Sequence, residues 1–167
     1  IASLIIRGFM TQSSWLQRWP SFDIEEVLSP DQLVLFKTKG VFPYSFRAMD
    51  KLQEFRNYVG VPLLINHGGS THRGARSMQD VYEINKRTRG PDRGWEYSFH
   101  LWCAFDLTPQ DLKKLSIQGL YNAALSFNKW GGIGRYDTFV HVDDRDNLSG
   151  VTTLWDTRIN QVTGRVN

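Results

Sequence analysis

The sequence predicts an α+β fold in which an antiparallel sheet is flanked by helices. Three observations carry that expectation. Helical periodicity marks the first half, where Phe46, Met49, Leu52, Phe55 and Val59 recur at three- and four-residue steps. Short aromatic and β-branched runs mark the second half, at residues 97–107, around His141 and at residues 151–155. Helices come first and strands predominate later, which is the segregation expected of an α+β arrangement.

At 167 residues the chain holds one proper core and is too short for two ordinary domains. Residues 1–44 are expected to form an arm and short helix packed on the domain formed by residues 45–167. A hydrophobic content of 41% with 22% charged residues is that of a globular protein. The net charge of +3 permits an anionic surface such as cell wall, but is too small to point to nucleic acid. That weakens a metal-dependent nuclease as a reading. The apolar opening, residues 1–6, is broken by Arg7 and Gly8, too early for a signal-peptide core or a membrane span. Cys103 is the only cysteine, which excludes an intrachain disulfide and a cysteine-rich zinc framework.

Taken in order, residues 15–22 place Trp15, Trp19, Pro20 and Phe22 among polar residues, as an arm that packs over the domain or docks to a partner. Ser29-Pro30-Asp31-Gln32 has the form of a helix start, with Ser29 as N-cap, Pro30 at N1 and Gln32 at the capping-box position. Ser45 opens the clearest helix and Gly60 closes it. Residues 61–65 follow as a buried strand emptying into a glycine-rich loop, residues 66–76. Residues 78–86 are expected to be helical, and residues 88–94 to form a polar turn. Residues 97–107 form a strand or a bulged pair. Thr108-Pro109-Gln110-Asp111 then starts a helix through Leu115 that resumes over residues 120–127. A glycine turn, Gly131-Gly132-Ile133-Gly134, leads into the strand carrying His141, and residues 151–155 make a last strand at an edge.

Chemistry concentrates in two of these stretches. Alternation along an extended strand puts Asp137, Phe139, His141, Asp143 and Arg145 on one face. The earlier run Ser98-Phe99-His100-Leu101-Trp102-Cys103-Ala104-Phe105-Asp106 supplies a second imidazole and a carboxylate. Two imidazoles and a carboxylate are the donor set of a catalytic zinc whose fourth position is left to water. Such a zinc implies hydrolysis. His67 and His72, in the glycine-rich loop, are expected at the surface or near substrate. Cys103, among Leu101, Trp102, Ala104 and Phe105, is expected to be a packed, inert thiol. Trp95, Trp102 and Trp130 either line a cleft or build core.

These residues resemble the zinc D-alanyl-D-alanine peptidases and the related phage L-alanyl-D-glutamate endolysins, which share the hedgehog-type metallopeptidase fold. The resemblance covers residues 46–145. Ser98-Phe99-His100 matches the family's Ser-x-His element and Ala104-Phe105-Asp106 its Ala-x-Asp element. Gly131-Gly132-Ile133-Gly134 with Phe139-Val140-His141-Val142-Asp143 matches its glycine turn and final ligand. The interval from His100 to Asp106 is one residue shorter than the family's, with Cys103 where a glycine is expected; a bulge would absorb the difference.

The resemblance implies Zn2+ held by His100, Asp106 and His141. It also implies substrate contacts from Ser98, Arg73 and Arg76, a guanidinium being suited to a substrate carboxylate. Family members place an acidic residue or histidine shortly before the last zinc histidine as base. Thr138 and Phe139 stand there, so the base falls to Asp143 or Asp137, and Asp143 alternatively orients the His141 ring. The implied activity is hydrolysis of a peptide bond in peptidoglycan stem peptides by a phage lytic or virion-associated enzyme. The other reading is a non-catalytic structural or adaptor virion protein that keeps the peptidase fold and docks to other virion proteins through Trp15 and Trp19. Neither reading requires nucleic acid or a membrane span.

Overall fold

Ser45 and Gly60 bracket the helix that organises the fold. In α4 (Phe46–Val59) the Ser45 hydroxyl accepts from the Ala48 N–H at 3.1 Å, and Gly60 ends the helix at φ +72°, a left-handed position that suits glycine. The helix buries Ala48, Met49, Leu52 and Phe55, the stripe that the sequence periodicity marks. The computed structural model describes residues 10–65, 76, 78–94 and 97–157. Expectations for residues 1–9, and for His67, His72, Arg73 and Trp95, lie outside the described residues.

Three helices precede α4: α1 (Gln12–Arg18), α2 (Ile24–Val27) and α3 (Pro30–Lys39). As the capping residues predict, Pro30 begins α3 and the Gln32 side chain accepts from the Ser29 N–H at 3.1 Å. The segment holding Trp15 and Trp19 is part of the core. Both indoles are fully buried, edge to face with centroids 4.8 Å apart, and both pack on Phe42. Trp15 Nε1 donates to the Phe22 carbonyl at 2.7 Å and Trp19 Nε1 to Asp50 of α4 at 2.9 Å, so neither buried indole N–H lacks an acceptor. Arg18 forks onto the same Asp50 carboxylate. A partner approaching this region would meet the outer surfaces of the helices, because the two tryptophan side chains face inward.

The sheet has five strands in the order β1-β2-β4-β3-β5: β1 (Leu63–Ile65), β2 (Ala104–Pro109), β3 (Gly132–Arg135), β4 (Val140–Asp143) and β5 (Thr153–Asp156). Three of its pairings are antiparallel and the pairing of β3 with β5 is parallel, so the expected antiparallel sheet is corrected to a mixed one. The cause is the connection after β4, which passes the end of β3 and sets β5 on its far side. There the Thr153 N–H donates to the Gly131 carbonyl at 2.9 Å.

Two further expectations are corrected. Thr108 and Pro109 do not start a helix; they pair with Leu64 and Leu63 at the end of β2, and α6 (Ile117–Phe127) begins later, capped by Ser116. Gly132 and Gly134 lie within β3 rather than in a turn.

One face of the sheet is apolar. Phe105 and Leu107 of β2, Val140 and Val142 of β4 and Ile133 of β3 pack with α4 and α6 in one cluster that also takes in Trp15 and Trp19. The other face carries polar side chains and looks toward α5 (Met78–Arg89), which runs a few residues past its expected end. Among the described residues, no helix is long and apolar enough to cross a membrane.

If the tryptophan segment is core, truncating it should destabilise the whole domain. Trp15→Ala is expected to cost about 3–5 kcal/mol, read as a lowered urea midpoint. A cost below about 1 kcal/mol would mean that the segment is a dispensable arm.

Candidate metal centre

Register brings the chemistry together. Asp106 of β2 lies directly opposite His141 of β4, and Ala104 lies opposite Asp143, so Asp106, His141 and Asp143 share the polar face. His100 reaches the same place from a 3₁₀ turn, Phe99–Leu101. That turn is tightly held: the Ser98 hydroxyl accepts from the His100 N–H at 3.3 Å, the Arg76 N–H donates to the His100 carbonyl at 2.8 Å, and the Ser45 N–H donates to the Trp102 carbonyl at 2.9 Å. The buried Tyr44 hydroxyl bonds both backbone groups of Ala104. Between His100 and Asp106 the chain leaves the 3₁₀ turn directly into β2, which pairs with β4 without a bulge.

His100, Asp106 and His141 each offer one ligand atom, and these atoms lie within 4.8 Å of one another. His141 Nδ1 is 2.8 Å and His100 Nε2 3.3 Å from the same oxygen, Asp106 Oδ1. All three side chains are buried or nearly so. Two imidazole nitrogens and a carboxylate oxygen converging at this spacing can hold a divalent metal ion, and the donor types fit one of borderline softness.

Asp143 stands behind His141. Its Oδ2 is 3.0 Å from His141 Nε2, while Arg145 forks onto both of its oxygens at 2.7 and 2.5 Å. An Nε2–H donated to Asp143 leaves Nδ1 as the coordinating nitrogen, the usual carboxylate–histidine–metal relay. Without a metal, His141 sits between two carboxylates. Burial alone would lower its pKa, but the bonds to Asp106 and Asp143 outweigh burial and raise it. His100 goes the other way, because burial dominates. Asp106 is held well below the usual carboxylate range: burial works against this, and the two histidines overcome it.

The two carboxylates considered as bases differ in placement. Asp137 does not share the face of His141: β4 starts only at Val140, and Asp137 is an exposed residue of the β3–β4 hairpin turn closed by the Tyr136 N–H to the Phe139 carbonyl. Extrapolating strand alternation into the turn produced that expectation. Asp143 does face the site, but its oxygens are taken by His141 and Arg145, and these bring its pKa down to about 2 against the opposing effect of burial. Of its two considered roles, the geometry favours orienting His141.

The trio lies on the wall of a cavity of about 590 Å3. Arg76 and Ser98 line it, as expected of substrate contacts, although both already have local duties. Ser98 caps the His100 turn, and Arg76 Nη2 donates to Asp106 Oδ2 at 3.2 Å. Trp102 and Trp130 do not line it. Trp130 packs in the core against Phe55 and Phe127, and Trp102 Nε1 donates to the Tyr97 hydroxyl. Burial pushes the Cys103 thiol up to about 12, consistent with the inert reading.

Sequence reasoning missed the α5 wall of the cavity, with Asn85 and Thr88, the Tyr136 ring that lines it stacked on Phe139, and the Trp155 indole that packs on His141. Trp155 of β5 lies opposite Gly134, its ring 5.2 Å from the His141 ring. A Cβ at Gly134 would collide with that indole, and one at Gly132 would stand 2.5 Å from Asp143 Oδ2. The two glycines in β3, with a tryptophan in the strand that follows β4, were the available signal. No family model, curated protein or solved structure matches the chain.

A carboxylate with a depressed pKa adds stability above its ordinary range and loses that contribution as pH falls. For Asp143 the loss runs from about pH 4 down to about pH 2. The metal-free Asp143→Asn variant should therefore show a smaller drop in urea midpoint between about pH 5 and about pH 2.5 than the wild type. Equal drops would show that the Asp143 contacts add nothing to stability.

Proposed function

We propose that the protein is a zinc metallopeptidase that hydrolyses a peptide bond in bacterial peptidoglycan stem peptides, as a phage lytic or virion-associated enzyme. The observation that carries this reading is the convergence of His100, Asp106 and His141 on the wall of a cavity large enough for a short peptide, with His141 backed by Asp143. The substrate class rests on the resemblance of the Ser-x-His, Ala-x-Asp and terminal His motifs to the cell-wall peptidases.

When bound, zinc activates water near neutral pH and polarises a carbonyl. The protein's own groups prepare the site. Asp143 fixes the His141 tautomer, and Arg145, holding Asp143 from the other side, keeps that carboxylate charged. Arg76 occupies Asp106 Oδ2, which leaves Oδ1 turned toward the two imidazoles. Arg76 Nε is buried without an acceptor among the described residues, and a peptide carboxylate entering the cavity would satisfy it.

A second reading, a virion structural or adaptor protein that keeps the fold without turnover, is favoured by one observation. Among the described residues lining the cavity, the only carboxylate is Asp106, the candidate metal ligand.

Metal analysis of the purified protein, with release of new amino termini from peptidoglycan, tests both readings. Wild type should carry one zinc per chain and cleave; His141→Ala should lose both properties. Asp143→Ala should bind zinc about 10–100-fold more weakly, and Asp137→Asn should behave as wild type. Zinc without cleavage of any wall type would leave the adaptor reading, and failure to bind zinc after reconstitution would end the ligand assignment.

A further inference from the structure

Tyr136 follows Gly132 and Gly134 at two-residue steps, so it continues the polar face of β3 just beyond the strand's end. Its ring is fixed on one side by Phe139, stacked at 4.3 Å and 13°, and the hairpin closes between the same two residues through the Tyr136 N–H and the Phe139 carbonyl. Its hydroxyl is fixed by Trp155, whose Nε1 donates to Tyr136 Oη at 3.2 Å. The indole N–H can only donate, so the tyrosine oxygen is the acceptor and its own proton remains to be given elsewhere. Among the described residues that proton has no acceptor. Tyr136 lines the cavity together with His100, Asp106 and His141, and the Trp155 ring that orients it also packs on His141. The site thus contains a rigidly held hydroxyl with a spare donor beside the candidate metal ligands. Of the other donors around the cavity, Arg145 holds Asp143 and Arg76 Nη2 holds Asp106; the Tyr97 hydroxyl also accepts from an indole N–H, that of Trp102, but its ring is exposed, whereas Tyr136 is half-buried beside the ligands.

Building on the peptidase reading above, we infer that Tyr136 is a further catalytic residue, whose hydroxyl donates a hydrogen bond to the substrate carbonyl oxygen as that oxygen gains charge. In the reaction the water oxygen bonds to the carbonyl carbon, the C–N bond breaks, and a proton from water ends on the leaving amine. Tyr136 keeps its own proton throughout. Its contribution is small toward a planar peptide and large toward the tetrahedral, negatively charged carbon centre, the behaviour of a preorganised oxyanion donor.

Tyr136→Phe removes the hydroxyl and keeps the stacked ring. The test compares zinc-loaded wild type and Tyr136→Phe for affinity toward an alanyl dipeptide phosphinate, a tetrahedral anion, and toward the corresponding intact dipeptide, both by calorimetry, with zinc content and stem-peptide hydrolysis measured alongside. Tyr136→Phe is expected to keep one zinc per chain, bind the phosphinate about 10–100-fold more weakly, bind the dipeptide within about twofold of wild type, and lower kcat by about 100-fold with little change in KM. Unchanged phosphinate affinity overturns the inference, and so does loss of zinc, which would make the hydroxyl a support for the metal site. Phosphinate binding that depends on Tyr136, in a protein that cleaves no wall peptide, keeps the tyrosine's role as an oxyanion donor and overturns the peptidase reading. A wild type that neither binds the phosphinate nor cleaves overturns both.

Discussion

Asp106 and His141 face each other across the β2–β4 ladder, and the rest of the site depends on that register. A slip of one residue would turn His141 and Asp143 into the apolar layer and bring Val140 and Val142 to the polar face. The apolar layer itself prevents the slip. Phe105, Leu107, Val140, Val142 and Ile133 are buried against α4 and α6, so the energy that fixes Asp106 and His141 comes largely from hydrophobic packing on the opposite side of the sheet. Polar links reinforce it. Asp144, next to the orienting carboxylate, is buried and receives Arg47 and Lys51 from α4, which pins the end of β4 to the same helix.

The polar face is crowded, and its crowding accounts for the composition of β3. Gly132 and Gly134 have no side chains because Asp143 and Trp155 occupy the space above them. Bulk taken from β3 is supplied by β5, whose indole packs beside His141. Arg145 joins the two halves: it forks onto Asp143 while its guanidinium lies over Phe99, 4.1 Å from the ring centroid, and near Trp155. The carboxylate that orients His141 is thus held by a cation which is itself held by aromatic rings.

Local signals made α4 legible from its caps and periodicity, and they made His100, Asp106 and His141 legible because two short buried runs carried them. What depended on partners in space was hidden. Thr108-Pro109-Gln110-Asp111 has the residues of a helix start, yet pairing with β1 decides its structure. Asp137 follows the alternation of His141 on paper, but the chain has already turned. Nothing local distinguishes a parallel from an antiparallel β5, since the choice is made by the path of the chain past Gly131. The wall provided by α5 comes from tertiary packing alone.

The edge position of β5 has a consequence for local opening. An edge strand can detach while the β2–β4–β3 ladder stays paired, because among the described residues its only ladder partner is β3. Detachment would withdraw Trp155, uncover the His141 ring and release the Tyr136 hydroxyl, yet the candidate ligands Asp106 and His141 would keep their register. The protein therefore separates the part of the site that could hold an ion from the part that shields it, and amide exchange along β5 can report the second independently of the first.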